Sequence, residues 1–402
     1  MKTEIKYYKD KPITKLCNTA DEIIEATANA EEGDVIGINA GTYNFVGTHR
    51  VVFRNKRNVI LRSVSGCAEE VVFRGGGFHK IDGYKKTPID EPVSVASDND
   101  GIVIYGITIR DSNCHGVKVQ GEANNSNITV DSCKFIDICE RMIKGSKGNN
   151  DYLVKSMTIT NNYFEDTQIP VASDHMDTFD GDYIAGIDMM ALDGTVISDN
   201  KFVNIKGMNG GARGAIFIWV GSKNVTAERN VIVNCDRGIC YGNPGNTSVE
   251  GGNLPYYVDG GIIRNNFISE PVSHGIEIAH TNNIKIYHNT IYRSDETGRG
   301  ISETSMSGEK LSKGLIIANN IVRGKISVQA CDAVNIKNNM TYKTDKIDPE
   351  YFTDITTGNL RLTAKSAGHI NKAALLPEVP EDIDGKSRRL QTCVGAYEYI
   401  NI

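Results

Sequence analysis

The amino-acid sequence predicts an all-β chain: a single-stranded right-handed parallel β-helix, a β-solenoid, with an N-terminal capping helix and an irregular C-terminal cap. Three observations carry this expectation. A strand ending in Asn recurs along the chain, a second short strand centred on Gly-Ile recurs beside it, and the composition favours tight turns. The 402 residues include 40 Gly and 37 Asn, which tolerate left-handed backbone, against 10 Pro and one Trp.

The helix comes first. Thr19-Ala-Asp-Glu22 has the spacing of a capping box and opens an amphipathic run from Ile23 to Ala30, ahead of Gly33-Asp34 and a strand. Such a helix would plug the open end of a solenoid core, which otherwise exposes unpaired strand edges. The Asn strands follow, closing on Asn162, Asn200, Asn230, Asn266, Asn289, Asn320 and Asn339 at intervals of 38, 30, 36, 23, 31 and 19 residues. That spread excludes helical repeats of fixed length and suits coils that share strands but vary their loops. Each strand alternates apolar and polar residues, so one face is buried, and stacked Asn side chains would satisfy turn backbone groups coil after coil.

The second column reads His115-Gly-Val-Lys118, Arg141-Met-Ile-Lys144, Ala185-Gly-Ile-Asp188, Gly214-Ala-Ile-Phe217, Arg237-Gly-Ile-Cys240, His274-Gly-Ile-Glu277 and Arg299-Gly-Ile-Ser302. The central Ile or Val points inward, so the residue after it points outward. From about residue 365 the repeat is lost among Pro377, Pro380 and Asp384-Gly385. The expected organisation is therefore a β-helix with its helical cap over 1–364 and an irregular cap over 365–402 that returns along the helix.

Composition narrows the function classes. No apolar run approaches the roughly 18–20 residues that span a bilayer, so no membrane insertion is expected. A net charge of −6 disfavours global attraction to nucleic acid or anionic membrane, while leaving room for a local basic groove. Nine cysteines without a CxxC pair read as small core hydrophobes rather than a zinc site or disulfide framework. Gly75-Gly-Gly77 and Gly207-Met-Asn-Gly-Gly lack the Lys-Ser/Thr of a phosphate loop, so no nucleotide cofactor is expected. His175, His280 and His288 have no ligand spacing on one element. The opening residues are too polar for a signal peptide, which leaves a secreted or periplasmic protein with its signal removed, or a cytoplasmic one.

The segment Gly33-Asp34-Val-Ile-Gly-Ile-Asn-Ala-Gly41-Thr-Tyr43 resembles the start of pectate-lyase-like β-helix proteins. Asp382-Ile-Asp384-Gly385-Lys-Ser-Arg388 through Val394-Gly395-Ala-Tyr397-Glu-Tyr399 resembles the tail of many bacterial right-handed β-helix repeat proteins. The resemblance spans nearly the whole chain and implies a right-handed parallel β-helix. It does not imply one chemistry, because the superfamily includes lyases, hydrolases, epimerases, esterases and phage tailspikes. The chain lacks the paired Asp and Gly-His-Gly pattern of polygalacturonase-like hydrolases. It also lacks the Asn-Lys-Ser and Arg-His-Gly-Asn segments of alginate and chondroitin lyases with this fold.

The chemistry is therefore read from the outward columns. Lys118 and Lys144 stack on adjacent coils beside His115 and Arg141, a repulsive arrangement that an anionic ligand or the Asp188 carboxylate would offset. One reading is a groove for an acidic polysaccharide or oligosaccharide; the other is a solvated ion-pair ladder. Eliminating across a uronate requires cations on its carboxylate, a base for the C5 proton and an acid for the leaving oxygen. Lysine serves as a base when neighbouring charge lowers its pKa. This assigns Lys144 as base, Lys118 and Arg141 as carboxylate clamps, and His115 or Arg237 as assisting groups, with Asp188 in the same catalytic group.

Arg213, Trp219, Arg237, Tyr241, His274 and Glu277 extend the expected substrate face, with Tyr256 and Tyr257 continuing an aromatic platform. Asp174, Asp177, Asp180 and Asp182 form an acidic loop in which calcium is the candidate ion, against a solvated polar loop; the spacing is not that of an EF-hand. Asp188 and Glu277 as a hydrolytic pair would stand ~14 Å apart at ~4.8 Å per coil, beyond the ~5–9.5 Å of glycosidases. The expected function is a polysaccharide lyase, with a glycoside hydrolase or a non-catalytic, tailspike-like adhesin as alternatives. Lys118, Lys144 and Asp188 are expected outward on successive coils, in a cleft walled by residues 167–185 and 243–259.

Overall fold

The computed structural model describes residues 8–244, 254–305, 311–368 and 370–399. Three strands make a coil, and like strands of successive coils pair in parallel to form three sheets: a right-handed parallel β-helix. The first sheet contains Val35–Ile38, the second Gly41–Asn44 and the third Val51–Phe53, and every later coil visits them in that order.

The corner between the first and second sheets explains the recurring Asn-Asn pairs. The first residue of each pair is left-handed, as at Asn161 (φ 55°), Asp199 (φ 58°) and Asn265 (φ 54°), a conformation that Asn and Asp tolerate. The second builds a ladder. Asn200 Oδ1 accepts from the backbone N–H of Asn162 at 2.9 Å and from its Nδ2 at 3.0 Å. The same double contact runs on through Asn230, Asn266, Asn289, Asn320 and Asn339. The expected column is therefore one turn of the coil, and its buried amides satisfy one another along the helix.

Inside, Phe135, Phe164 and Phe202 stack at 4.9 and 4.5 Å between centroids. Val117, Ile143, Ile187, Ile216, Ile239, Ile276 and Ile301 form an unbroken buried column on the third sheet. The glycine before the isoleucine has a steric cause. A Cβ on Gly238 would lie 2.3 Å from Gly275 O, so the approaching backbones leave no room for a side chain.

Helix α1 spans Ala20–Ala28, starting earlier and ending earlier than the expected run to Ala30. Thr19 accepts from Glu22 N at 3.2 Å, the Glu22 carboxylate accepts from Asn18 N, and Asn29 closes the last turn. Its Ile23 is fully buried in the main core. At the other end the parallel ladders stop with Met340–Thr341. Two antiparallel pairs follow, Phe352–Asp354 with Asn359–Leu362 and Lys372–Ala374 with Gln391–Cys393. This segment lies back along the coils: Phe352, Leu360 and Val394 pack on Phe267, Tyr292 and Ile321. Asn265 Nδ2 donates to Glu381 O and Ser269 Oγ to Ile355 O. No helix among the described residues is long and apolar enough to cross a membrane.

Candidate functional site

The third sheet holds both outward columns. Strands His115–Val119, Arg141–Gly145, Ala185–Met190, Gly214–Trp219, Arg237–Tyr241, His274–Ile278 and Arg299–Glu303 stack in order. Their register sets Lys118 beside Lys144, Lys144 beside Asp188, then Phe217, Cys240, Glu277 and Ser302. His115 aligns with Arg141, and Arg237 with His274 and Arg299. The alternation that buries the isoleucines fixes this placement.

Asp188 is the centre of the first cluster. Its carboxylate is fully buried and accepts from Arg141 Nε at 2.7 Å and from the indole N–H of Trp219 at 2.9 Å. Lys144 Nζ stands 3.1 Å from the same carboxylate, at ion-pair distance but without hydrogen-bond geometry, and is itself covered from solvent. Burial alone would raise Asp188; Lys144 and Arg141 outweigh it and hold the carboxyl at about 2. Lys144 is pushed below its ordinary value, by burial first and by the Arg141 charge against the opposing pull of Asp188. Lys118 is more open and pairs at 3.2 Å with the buried Glu91, which Arg50 also contacts.

Beside it lies a buried group that the repeat does not reveal. Cys114, His115 and Glu140 present donor atoms within 4.8 Å of one another, the only such set of three or more His, Cys, Asp or Glu residues among the described residues. Lys80, from the loop before Val93, donates to Glu140 Oε1 at 2.9 Å and to Asn113 O at 2.6 Å. A tethered ammonium thus already neutralises Glu140, where a metal ion would meet like charge. Burial pulls the His115 imidazole down to about 4, so it is neutral near pH 7, with Nδ1 unpartnered.

A second cluster follows beyond Phe217 and Trp219, whose rings stack at 5.0 Å. Glu277 accepts from Thr304 at 3.0 Å and faces Arg237 at 3.3 Å and His274 at 3.7 Å, while the exposed Arg299 reaches His274. One flank of the face is built by the loops before the strands. Arg213 lies over Phe179, Phe179 stacks on Tyr183, and Arg141 lies over Tyr183. Asp174 joins the loops, accepting from Lys80 N and Val171 N and facing His79. Between them is a pocket of about 470 Å³ lined by Tyr84, Lys85, Lys86, His175, Met176 and Asp177. The other expected wall, 243–259, lies partly outside the described residues, which omit 245–253.

Three expectations need correction. Arg141 is not an open clamp, because its buried guanidinium is held by Asp188 and by Tyr183 O. Asp188 keeps its expected role as the counter-charge to the lysine column, ionised between Lys144 and Arg141. Tyr241 pairs in register with Ile218 and Ile278 and is fully buried, its hydroxyl donating to Val225 O; it follows outward Cys240 and so points inward. Tyr257 is likewise in the core. Finally, Asp174, Asp177, Asp180 and Asp182 do not converge as calcium ligands. Asp174 is buried among backbone donors, Asp182 accepts from Asn209 N and Gly211 N, Asp180 lies near Asn209, and Asp177 is exposed.

The residues that sequence reasoning missed are Glu91, Lys80, Glu140 and Tyr183. Glu91 and Lys80 come from the 75–92 loop and Tyr183 from the 166–184 loop, where repeat register has no reach. Glu140 was accessible in principle, since it immediately precedes the Arg141 strand.

No protein-family model matches the chain, and no curated protein matches it in sequence. Solved structures do match in shape. The pectate lyase Pel9A is 12% identical, with 98% of each chain covered and a TM-score of 0.56. An endo-xylogalacturonan hydrolase from Aspergillus tubingensis is 11% identical over 87% of this chain and 98% of its own, at 0.53. PfbA, a surface adhesin of Streptococcus pneumoniae, is 12% identical over 80% and 86%, at 0.50. What the chain shares with the lyase, the hydrolase and the adhesin is the right-handed parallel β-helix fold itself.

Proposed function

We propose that this protein binds an acidic polysaccharide along the outer face of the third sheet and cleaves it by β-elimination, with Lys144 as the base. The observation that carries the reading is Lys144 itself: a lysine in register between Lys118 and Asp188, pushed below its ordinary pKa and lacking a well-oriented hydrogen-bond partner. A lysine shifted below its ordinary pKa gives up its own proton more readily and can then accept the C5 proton, and Lys118 on the adjacent coil supplies positive charge for the sugar carboxylate. Arg141 and Asp188 position Lys144 rather than touch the sugar. Arg237 and Arg299 continue the basic face, and the exposed Lys85 and Lys86 of the flanking pocket add charge at its edge.

A hydrolase is less well supported. Asp188 and Glu277 are three coils apart, ~14 Å at ~4.8 Å per coil, and Asp188 is held ionised. Binding without cleavage is favoured by one observation: Lys144 Nζ is covered, whereas Lys118 and Arg299 are accessible.

The test is incubation with a panel of uronate polysaccharides, following the ultraviolet absorbance of the unsaturated product and the appearance of new reducing ends. Absorbance with the wild type and none with Lys144→Met supports elimination. Reducing ends without absorbance indicate hydrolysis, binding alone indicates an adhesin, and none of the three defeats the proposal.

A further inference from the structure

The two ends of the solenoid differ. Helix α1 covers the first coil, whereas the C-terminal segment runs along the side and covers Met340 of the last coil, leaving that coil's first-sheet strand open among the described residues. Ile336 is the register partner of Ile317, and Val334 follows Leu315 in the same way; both of those partners are buried. Ile336 is nevertheless 48% exposed and Val334 42%. The last strand of each sheet, Lys325–Val328, Asn335–Lys337 and Met340–Thr341, is paired on one side only. An apolar core section rimmed by unpaired backbone groups is a template for another strand layer.

We propose that this end docks a second copy of the chain, end to end about a two-fold axis. The charge pattern selects that occupant. Asp332 and Lys337 bracket the exposed segment and both are exposed; Asp332 lies in register beside Lys313, but neither is within ion-pair distance of a partner among the described residues. A two-fold axis through Asn335 runs the two segments antiparallel, sets Val334 against the partner's Ile336, and brings Lys337 next to the partner's Asp332 at both ends. The same axis turns Lys325–Val328 of the third sheet toward the partner's second-sheet side, so the contact is centred on the first-sheet edge. A like-oriented, head-to-tail stack would instead meet α1, which already covers the opposite end.

Sedimentation across a concentration range tests the proposal on the full chain. The wild type should shift from monomer to dimer mass as concentration rises. Ile336→Asp should stay monomeric with an unchanged circular-dichroism spectrum. Asp332→Lys should weaken the dimer, and Asp332→Lys with Lys337→Asp should restore it. A wild type that remains monomeric overturns the proposal, as does a dimer indifferent to Ile336→Asp. A dimer lost in Ile336→Asp but unmoved by Asp332→Lys overturns the antiparallel register that selected the occupant.

Discussion

Lys144→Met and Asp188→Ala separate a functional lysine from a structural one. Without Lys144, the Asp188 carboxylate keeps Arg141 Nε at 2.7 Å and Trp219 Nε1 at 2.9 Å, while a desolvated ammonium with no well-oriented partner is removed. The volume change is small, so stability should stay within about 1 kcal/mol of the wild type. Without Asp188, Arg141 and Lys144 become neighbouring buried cations left with only the Glu140 carboxylate, 4.0 Å from Arg141, which Lys80 already engages. Removing one partner of such a pair costs about 3–5 kcal/mol. The lowering of Asp188 from 3.8 to about 2 is of similar order, about 2–3 kcal/mol. The assay is the midpoint and slope of urea unfolding for both variants, with binding followed by the fluorescence of Trp219, the sole tryptophan, whose indole is bonded to Asp188. The account requires Lys144→Met to fold normally and lose turnover. If it instead loses 3 kcal/mol or more and handles acidic polysaccharide as before, Lys144 belongs to an ion-pair ladder and the catalytic reasoning fails.

Asn230→Ala should cost about 3–5 kcal/mol, because it leaves Asn200 N and Nδ2 and Asn266 Oδ1 with missing partners inside the ladder. The same change at the half-buried Asn339, on the last coil, removes the two contacts to Asn320 but no onward bond, so it should cost less; a larger cost than at Asn230 in thermal melts would contradict the ladder. His115 titrates at about 4 in the fold against 6.5 for the free side chain, so the unfolded chain takes the proton first. Its contribution is complete above pH 6.5 and falls through pH 4, by up to about 3 kcal/mol; His115→Gln should flatten stability over that window. Asp188 adds a further loss between its ordinary 3.8 and about 2. Chelating calcium should leave the melting temperature unchanged; a fall of several degrees would reinstate the acidic loop as a site.

The fold was legible because coil register is a local property written many times over. The Asn-Asn pairs record one turn geometry, the Gly-Ile strands record one close approach of backbones, and alternation assigns each side chain to a face. The same logic placed Lys118, Lys144 and Asp188 in line. It failed where the repeat is interrupted. Glu91, Lys80 and Tyr183 enter from loops whose path depends on tertiary contacts, such as the Asp174 carboxylate bonding Lys80 N across two of them. Without those partners, the lysine column looked more repulsive than it is. Tyr241 was a different failure: its parity against Cys240 already pointed inward, and its proximity to a loop was given too much weight.

The most direct measurement is the structure of Lys144→Met with an acidic oligosaccharide bound, since the variant should bind without turning over. The account predicts a sugar carboxylate at hydrogen-bond distance from Lys118 and the adjoining C5–H directed at the position of the missing Nζ, with the chain running on toward Arg237. An oligosaccharide seated on the first or second sheet, or ordered on the third with no carboxylate near Lys118, would contradict it.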